Sequence, residues 1–240
     1  MQRITEAFAR AKEQNRGAFV AYWTVGYPSL QESEEAIERI IAKGADIIEL
    51  GVPFSDPFAD GGVIREAAYK ALAQGTTLDS VLELASRIRS RHPQTGLVLF
   101  SYYNPIFSKG IEAFADAAAA VGIDAVLAVD LPLEERDELV IPLRKRGVSF
   151  IPLIAPNTPL ERVTASEQGL ENAFLYIITV KGTTGARATL PPDLAARLDA
   201  IRSVARLPIA AGFGISSPEQ AAEVSRHADG YIIGTALMKS

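Results

Sequence analysis

The run Asp46-Ile-Ile-Glu-Leu50, followed by the turn Gly51-Val-Pro53, shows the pattern on which the fold of this chain depends. A short run of apolar and β-branched residues that ends in a Gly- or Pro-containing turn is typical of a buried strand. Each such run is followed by a segment whose apolar residues have helical spacing. The pattern occurs eight times, and the predicted strands begin at Ala18, Asp46, Gly96, Ala125, Ser149, Phe174, Pro208 and Gly230.

Strands that alternate with helices form a parallel sheet, because each helix carries the chain back to the start of the next strand. Sharing the 240 residues among eight units leaves about 30 residues for each, which is the length of a βα unit. No linker or low-complexity tract divides the chain. The sequence therefore predicts one α/β domain, residues 1–240, folded as a (β/α)8 barrel of the TIM type.

Both ends of the chain add detail to this prediction. Ile4, Phe8 and Ala11 recur at helical spacing and predict an extra N-terminal helix that covers one mouth of the barrel. Because the sequence stops at Ser240, soon after the eighth strand, we expect the eighth outer helix to be missing or truncated. Thr158 and Ser217 each precede a Pro, and both are predicted to be helix N-caps.

The composition narrows the functional classes. A net charge of −5 offers no overall attraction for nucleic acid or an anionic membrane surface, and no stretch approaches the roughly 18 apolar residues of a membrane span. The chain has no Cys, and its two His residues, His92 and His227, lie at predicted helix ends, so neither a thiol nucleophile nor a metal site is expected. Because the N-terminus lacks a signal peptide, a cytoplasmic location is expected.

Glu49 is the outstanding polar residue at the carboxyl end of a predicted strand, where barrels of this type have their active sites. The strand around it is otherwise almost entirely apolar. Burial there would raise the pKa of the carboxyl group and suit it to proton transfer near neutral pH. The alternative is a structural ion pair with an Arg or Lys of the barrel.

The loop Pro53-Phe-Ser-Asp-Pro-Phe-Ala-Asp60 is too apolar for a simple solvent-exposed loop. Its two Phe residues indicate a hydrophobic ligand or a partner surface, and Asp60 could return over the barrel mouth towards Glu49. Asp56 and Asp60 could equally be turn and helix-capping residues.

Glycine-containing turns follow the sixth, seventh and eighth predicted strands, at Lys181-Gly-Thr-Thr-Gly185, Gly212-Phe-Gly214 and Gly234-Thr235. Glycine lets backbone amides approach a ligand closely, and phosphate sites after the seventh and eighth strands recur in barrels. Three such turns at adjacent strand ends predict a phosphate site.

The segment Glu49-Leu-Gly-Val-Pro-Phe-Ser-Asp-Pro-Phe-Ala-Asp60-Gly resembles the signature of the tryptophan synthase α-subunit family. The resemblance covers essentially the whole chain, through Gly17-Ala-Phe-Val, Tyr102-Tyr-Asn-Pro, Ala128-Val-Asp-Leu-Pro-Leu-Glu-Glu135, Thr184-Gly-Ala-Arg187, Gly212-Phe-Gly-Ile-Ser-Ser-Pro-Glu-Gln220 and Gly234-Thr235. It implies a lyase that splits indole-3-glycerol phosphate into indole and glyceraldehyde 3-phosphate by a retro-aldol reaction, without a metal or organic cofactor.

The resemblance also implies roles for individual residues. Glu49 matches the general acid–base residue, Asp60 the carboxylate that binds the indole N–H, and Tyr176 a supporting tyrosine. The implied substrate contacts are Tyr22, Ile64, Phe100, Tyr102, Leu127, Thr184, Phe213 and Ile232. The implied phosphate contacts are Gly185, Gly214, Gly234 and Thr235, next to a lid at residues 181–187. For Leu127 and Ile232, ordinary barrel packing is an equally good explanation.

By the same resemblance, the chain docks on a pyridoxal-phosphate-dependent β subunit in an assembly of two α and two β chains. Pyridoxal phosphate is expected only in that partner, and no cofactor is expected in this chain. The implied interface residues are Pro53, Asp56, Pro57, Asn104 and Pro132.

Three alternatives stay open at this stage. The glycine turns alone would suit a phosphosugar isomerase or an indole-glycerol-phosphate-forming synthase, although the 53–60 loop counts against both. A catalytically silent regulatory subunit would fit a truncated C-terminus, although Glu49 and Asp60 are both present. A stand-alone lyase that releases free indole would differ only in its partner and in the fate of the indole.

Overall fold

The computed structural model describes residues 2–179, 191–212 and 214–239. Within these ranges strands and helices alternate along the chain, as predicted. The helices are α1 (Arg3–Glu13), α2 (Leu30–Ala42), α3 (Gly62–Ala73), α4 (Leu78–Arg91), α5 (Tyr103–Lys109), α6 (Ile111–Ala120), α7 (Asp137–Lys145), α8 (Leu160–Ser166), α9 (Leu194–Arg202), α10 (Pro218–Val224) and a 3-10 helix, Leu237–Lys239. The strands are β1 (Ala18–Thr24), β2 (Ile47–Gly51), β3 (Gly96–Ser101), β4 (Ala125–Ala128), β5 (Ser149–Phe150), β6 (Leu153–Ile154), β7 (Leu175–Ile178), β8 (Ile209–Gly212) and β9 (Gly230–Ile233).

All pairings between these strands are parallel, in the order β5-β4-β3-β2-β1-β9-β8-β7-β6. The two end segments, β5 and β6, are separated only by Ile151 and Pro152. The amide of Ile151 donates to the carbonyl of Val126 (2.9 Å), and the amide of Tyr176 donates to the carbonyl of Pro152 (3.0 Å). The segments are therefore two halves of one strand, which pairs first with β4 and then with β7 and closes an eight-position barrel.

The eight predicted strands are confirmed, and each begins within one residue of the predicted start. The short apolar runs form strands because both sheet faces are buried, one inside the barrel and one beneath the helices. All five residues of β2 are buried, including Glu49. That burial places a carboxyl group inside an apolar core.

The extra N-terminal helix is also confirmed. Ile4 and Phe8 of α1 are buried, and the ring of Phe8 packs at 5.5 Å from that of Phe174. These side chains lie against the starts of β3 and β9, so α1 covers the N-terminal mouth. After β9, the structure describes the chain as far as residue 239. The only helix in this described part is the short 3-10 helix.

One of the two predicted N-caps is wrong. Ser217 caps α10 by accepting a hydrogen bond from the amide of Gln220 (3.3 Å). Thr158 does not cap α8, because this helix begins one residue later, with extended Pro159 at the capping position and no side-chain cap. None of the helices in the described part of the chain is long and apolar enough to cross a bilayer.

Candidate active site

Glu49 lies in the middle of β2, level with Tyr22 of β1 and Val98 of β3. Its side chain is fully buried, and neither carboxyl oxygen has a hydrogen-bond partner among the described residues. Burial raises the pKa of Glu49 to about 8, because an apolar environment disfavours the charged form. The described residues therefore offer no structural ion pair for Glu49, and its carboxyl group holds a proton at neutral pH.

Asp60 is the second buried carboxyl group at this end of the barrel. The Tyr102 hydroxyl donates to its Oδ2 (3.1 Å). Burial raises the pKa of Asp60 to about 6, partly opposed by this hydrogen bond and by the charge of Arg65. Helix α3 has Gly61 at its N-cap position and no side-chain cap, so Asp60 is not a helix-capping residue.

A small cavity lies at the mouth of the barrel beside Asp60. Its lining combines apolar and aromatic side chains with residues of two glycine turns, and consists of Tyr22, Asp60, Ile64, Phe100, Tyr176, Gly214, Ile215, Ile232, Gly234 and Thr235. Most of these residues were named from the sequence, but Ile215 was not. Its apolar side chain directly follows the glycine turn, which is the only sequence signal for it.

Other residues named from the sequence lie elsewhere. Leu127 is fully buried within β4, in the packed core and outside this cavity lining. Tyr102 is buried behind Asp60 and does not line the cavity either. The predicted contacts Thr184, Gly185 and Phe213, with the predicted lid at 181–187, lie outside the described residues.

Glu49 is not part of the described cavity lining, but two tyrosines of that lining, Tyr22 and Tyr176, lie close to it. Burial raises the pKa of Tyr22 and Tyr176 well above the usual value, and the charge of Glu49 contributes to both shifts. A Cβ atom at Gly51 would lie 2.3 Å from the Tyr22 hydroxyl oxygen, and one at Gly212 would lie 2.6 Å from that of Tyr176. Both glycines therefore make room for a tyrosine of the site, a role that the local sequence did not reveal because each contact joins two strands.

Comparison with known proteins identifies the family. The chain matches the family described as "Tryptophan synthase alpha chain" over residues 8–240. The chain belongs to this family. It is 47% identical over 240 residues to the tryptophan synthase alpha chain of Citrifermentans bemidjiense. This match covers 100% of this chain and 89% of that protein.

Solved structures agree with this assignment. A structure from Aquifex aeolicus VF5 is similar with a TM-score of 0.92 and 36% identity, and the match covers 100% of this chain and 91% of the other. Tryptophan synthase subunit alpha from Legionella pneumophila str. Paris is similar with a TM-score of 0.90 and 35% identity, at 100% and 88% coverage. The TIM-barrel prediction is confirmed.

Membership of the tryptophan synthase alpha chain family also confirms the enzyme class inferred from the sequence. The chain is a carbon–carbon lyase of tryptophan biosynthesis, which cleaves indole-3-glycerol phosphate. The matches do not support a phosphosugar isomerase or a catalytically silent subunit. Membership implies a β-subunit partner, and the family needs no cofactor of its own.

The surface predicted to meet that partner is partly buried within the alpha chain itself. Asp56, Asn104 and Pro132 are exposed, whereas Pro53 and Pro57 are buried. Two large aromatic side chains nearby in the chain are exposed, Phe58 at 63% and Phe107 at 58%. Phe58 belongs to the 53–60 loop, whose Phe residues indicated a ligand or partner surface, whereas Phe107 was not named from the sequence. Exposed aromatic side chains of this size are typical of a partner surface.

Each of the two histidines lies beside a carboxylate, and neither is among the residues that line the cavity. His92 Nε2 lies 2.5 Å from a carboxylate oxygen of Glu38, and His227 Nδ1 lies 2.9 Å from one of Asp199. Within the described ranges, no group of three or more His, Asp or Glu side chains could hold a metal ion.

Proposed function

We propose that Glu49 is the general acid–base residue of the cleavage reaction and that Asp60 stabilises the positive charge formed on the indole ring. The observation that carries this proposal is the contrast between the two groups. Glu49 is buried, has no hydrogen-bond partner among the described residues, and is protonated at neutral pH, since its pKa is about 8. Asp60, with a pKa of about 6, is mainly ionised at the same pH.

The two protonation states suit the two halves of a retro-aldol cleavage. The Glu49 carboxyl group donates its proton to indole C3, which leaves a cationic ring with positive charge at nitrogen. Ionised Asp60 accepts a hydrogen bond from the indole N–H as this charge develops. The bond between C3 and the side chain then breaks, and its electron pair restores the aromatic ring.

The same step regenerates Glu49. As the carbon–carbon bond breaks, the side-chain hydroxyl becomes the aldehyde carbonyl of glyceraldehyde 3-phosphate, and its proton passes to the Glu49 carboxylate. The proton count closes, so no external acid, base or cofactor is needed. Tyr176 supports this chemistry as a neutral wall of the cavity, because its raised pKa keeps the phenol protonated.

The cavity lining suits the two ends of the substrate. Tyr22, Ile64, Phe100 and Ile232 form an apolar slot for the indole ring. Gly214, Gly234 and Thr235 lie in the same lining, and we assign the phosphate to their backbone amides. Thr184, Gly185 and Phe213 stay predicted contacts, with residues 181–187 as the predicted lid.

We further propose the assembly and its setting. Two alpha chains and two β chains associate in the cytoplasm, and pyridoxal phosphate is held only by the β chains. Asp56, Asn104, Pro132 and the exposed rings of Phe58 and Phe107 form the docking surface on this chain. The exposure of all five residues and the aromatic rings of the two Phe residues support this assignment.

The test of the reaction is indole release from indole-3-glycerol phosphate by the purified chain, alone and with an added β subunit. We expect release by the parent and near-complete loss in Glu49→Gln, which keeps the shape but cannot donate a carboxyl proton. No release by the parent under either condition would overturn the proposed chemistry.

The test of the docking surface is the mass of the complex in solution. Mixing the chain with a β subunit should give a species with two copies of each, measured by light scattering. Phe107→Ser should weaken this complex, whereas Tyr69→Ser, at a comparably exposed ring (52%) on α3, should not. Equal effects of the two variants would contradict the assigned surface.

A further inference from the structure

Tyr102 joins the end of β3 to the loop that carries Asp60. Its side chain is almost completely buried, with 2% exposure. The hydroxyl donates to Asp60 Oδ2 at 3.1 Å and accepts from the amide of Ala59 at 3.0 Å. A phenol has one proton to give and lone pairs to receive, so both hydrogen bonds can form at once. One hydroxyl therefore holds two consecutive residues of the loop.

The ring of Tyr102 is fixed as firmly as its hydroxyl. Phe54 stacks on it at 4.8 Å between ring centroids, and Phe58 packs edge-on at 5.4 Å. These two rings belong to the same loop as Asp60. Aromatic pairs in such arrangements are favourable beyond the area they bury. The 53–60 loop therefore packs around the Tyr102 ring, and the Tyr102 hydroxyl in turn binds two residues of the same loop.

Tyr102 is absent from the described lining of the substrate cavity, although the family resemblance implied a substrate contact. We infer that Tyr102 is a positioning residue, which fixes the direction of the Asp60 carboxylate and holds the loop around it. This inference rests on the role proposed above for Asp60.

The electrostatic effect of the hydrogen bond supports the same role. Burial raises the pKa of Asp60, and the bond from Tyr102 lowers it, because a donated proton favours the charged carboxylate. With the bond in place, Asp60 is mainly ionised at neutral pH. Ionised Asp60 is the form that can accept the indole N–H and stabilise a cationic ring.

The test compares Tyr102→Phe with Tyr103→Phe. The first variant keeps the ring and removes the hydroxyl that binds Asp60. The second removes the hydroxyl of the next residue, which lies near Glu138 and not near Asp60. The first readout is the Asp60 titration, followed by NMR of ¹³C-labelled Asp carboxyl groups. In Tyr102→Phe the Asp60 pKa should rise by about one unit, and in Tyr103→Phe it should not move.

The second readout is the kinetics of indole release. In Tyr102→Phe we expect kcat to fall about tenfold, KM to change less than threefold, and the acidic limb of the kcat–pH profile to move upwards with the Asp60 pKa. In an Asp60→Asn background, Tyr102→Phe should cause no further fall, because the group that it positions is already lost.

An unchanged Asp60 titration in Tyr102→Phe would overturn the inference. So would a raised KM with unchanged kcat, which would mark Tyr102 as a substrate contact, or equal losses in both phenylalanine variants. These outcomes are distinct from failure of the proposed reaction, which is judged by indole release from the parent and from Glu49→Gln. The Asp60 titration decides the inference even where no indole is released.

Discussion

Asp124 and Glu49 are both buried carboxyl groups, but they lie at opposite ends of the barrel in opposite surroundings. Asp124, directly before β4, accepts hydrogen bonds from Arg3 (2.8 Å), Arg89 (2.7 Å) and the amide of Leu97 (2.9 Å). Glu49, two residues before the carboxyl end of β2, accepts none from the described residues. Asp124 is thus held by two arginines, whereas the carboxyl group of Glu49 holds a proton at neutral pH.

The arrangement at Asp124 is repeated around the N-terminal end. Asp46, directly before β2, binds Arg16 through two hydrogen bonds (2.6 and 2.8 Å) and accepts from the amide of Phe19 (2.8 Å). Asp229, directly before β9, binds Arg202 and accepts from the amide of Ile209. Each carboxylate links the start of one strand to its neighbour, so the N-terminal end stabilises the barrel, whereas the proposed chemistry lies towards the C-terminal end.

The largest expected effect is that of Glu49→Gln on turnover. We expect kcat for indole release to fall about 1000-fold, because a positioned acid–base group contributes roughly 10²–10⁴-fold. Stability to urea should not fall, since Glu49 has no hydrogen-bond partner to lose among the described residues. A variant that kept more than a tenth of the parent kcat would contradict the acid–base role of Glu49, and with it the functional difference between Glu49 and Asp124.

Asp124→Asn should have the opposite signature. Removing the charge leaves Arg3 and Arg89 without their counter-ion, and breaking a buried ion pair costs about 3 kcal/mol. We expect this loss in the free energy of unfolding, measured in urea, with kcat of the folded enzyme within twofold of the parent. Full stability, or a fall in kcat like that of Glu49→Gln, would contradict the structural role of Asp124.

The pH dependence of the free energy of unfolding should show whether the buried Glu49 carboxyl group is protonated. Because the pKa of Glu49 is raised to about 8 in the folded state, its contribution to stability is complete below the ordinary Glu pKa of about 4.3. That contribution is lost as pH rises through 8. Relative to Glu49→Gln, the parent should lose about 3 kcal/mol of unfolding free energy between pH 5 and pH 8. Parallel stability curves for the two proteins would count against a protonated Glu49.

The smallest effect in this series is expected for Asp60→Asn. The amide keeps the shape of the side chain but cannot neutralise a cationic indole, so kcat should fall about 100-fold while the far-ultraviolet circular dichroism stays unchanged. Tyr102→Phe should have part of this effect. Unchanged turnover in Asp60→Asn would remove its assigned role.

The sequence pattern was sufficient to predict the fold and to single out Glu49 as a buried carboxyl group in a strand. Strand and helix periods depend on local spacing, and a lone carboxyl group in an apolar run is visible without knowing its neighbours. The Thr158 cap failed because its position had to be correct within one residue, and Pro159 stands where the capping hydroxyl would be.

Contacts between segments far apart in the sequence could not be predicted from the sequence pattern. The bond from Tyr102 to Asp60 joins residues 42 apart, and nothing in either segment indicates the other. The sequence did not reveal that Gly51 and Gly212 make room for Tyr22 and Tyr176. The roles of Glu49 and Asp60 came from the family resemblance, because residue type and spacing alone do not name a substrate.

The central claim, that the C-terminal end holds a protonated carboxyl group while the N-terminal end holds paired anions, is tested most directly by titrating Glu49 itself. ¹³C NMR of the chain labelled at Glu carboxyl carbons, with Glu49→Gln to identify the signal, reports its protonation state. We predict a protonated carboxyl group at pH 7 that titrates near pH 8. A signal already ionised at pH 7, with a midpoint near the ordinary Glu value of about 4.3, would contradict the account.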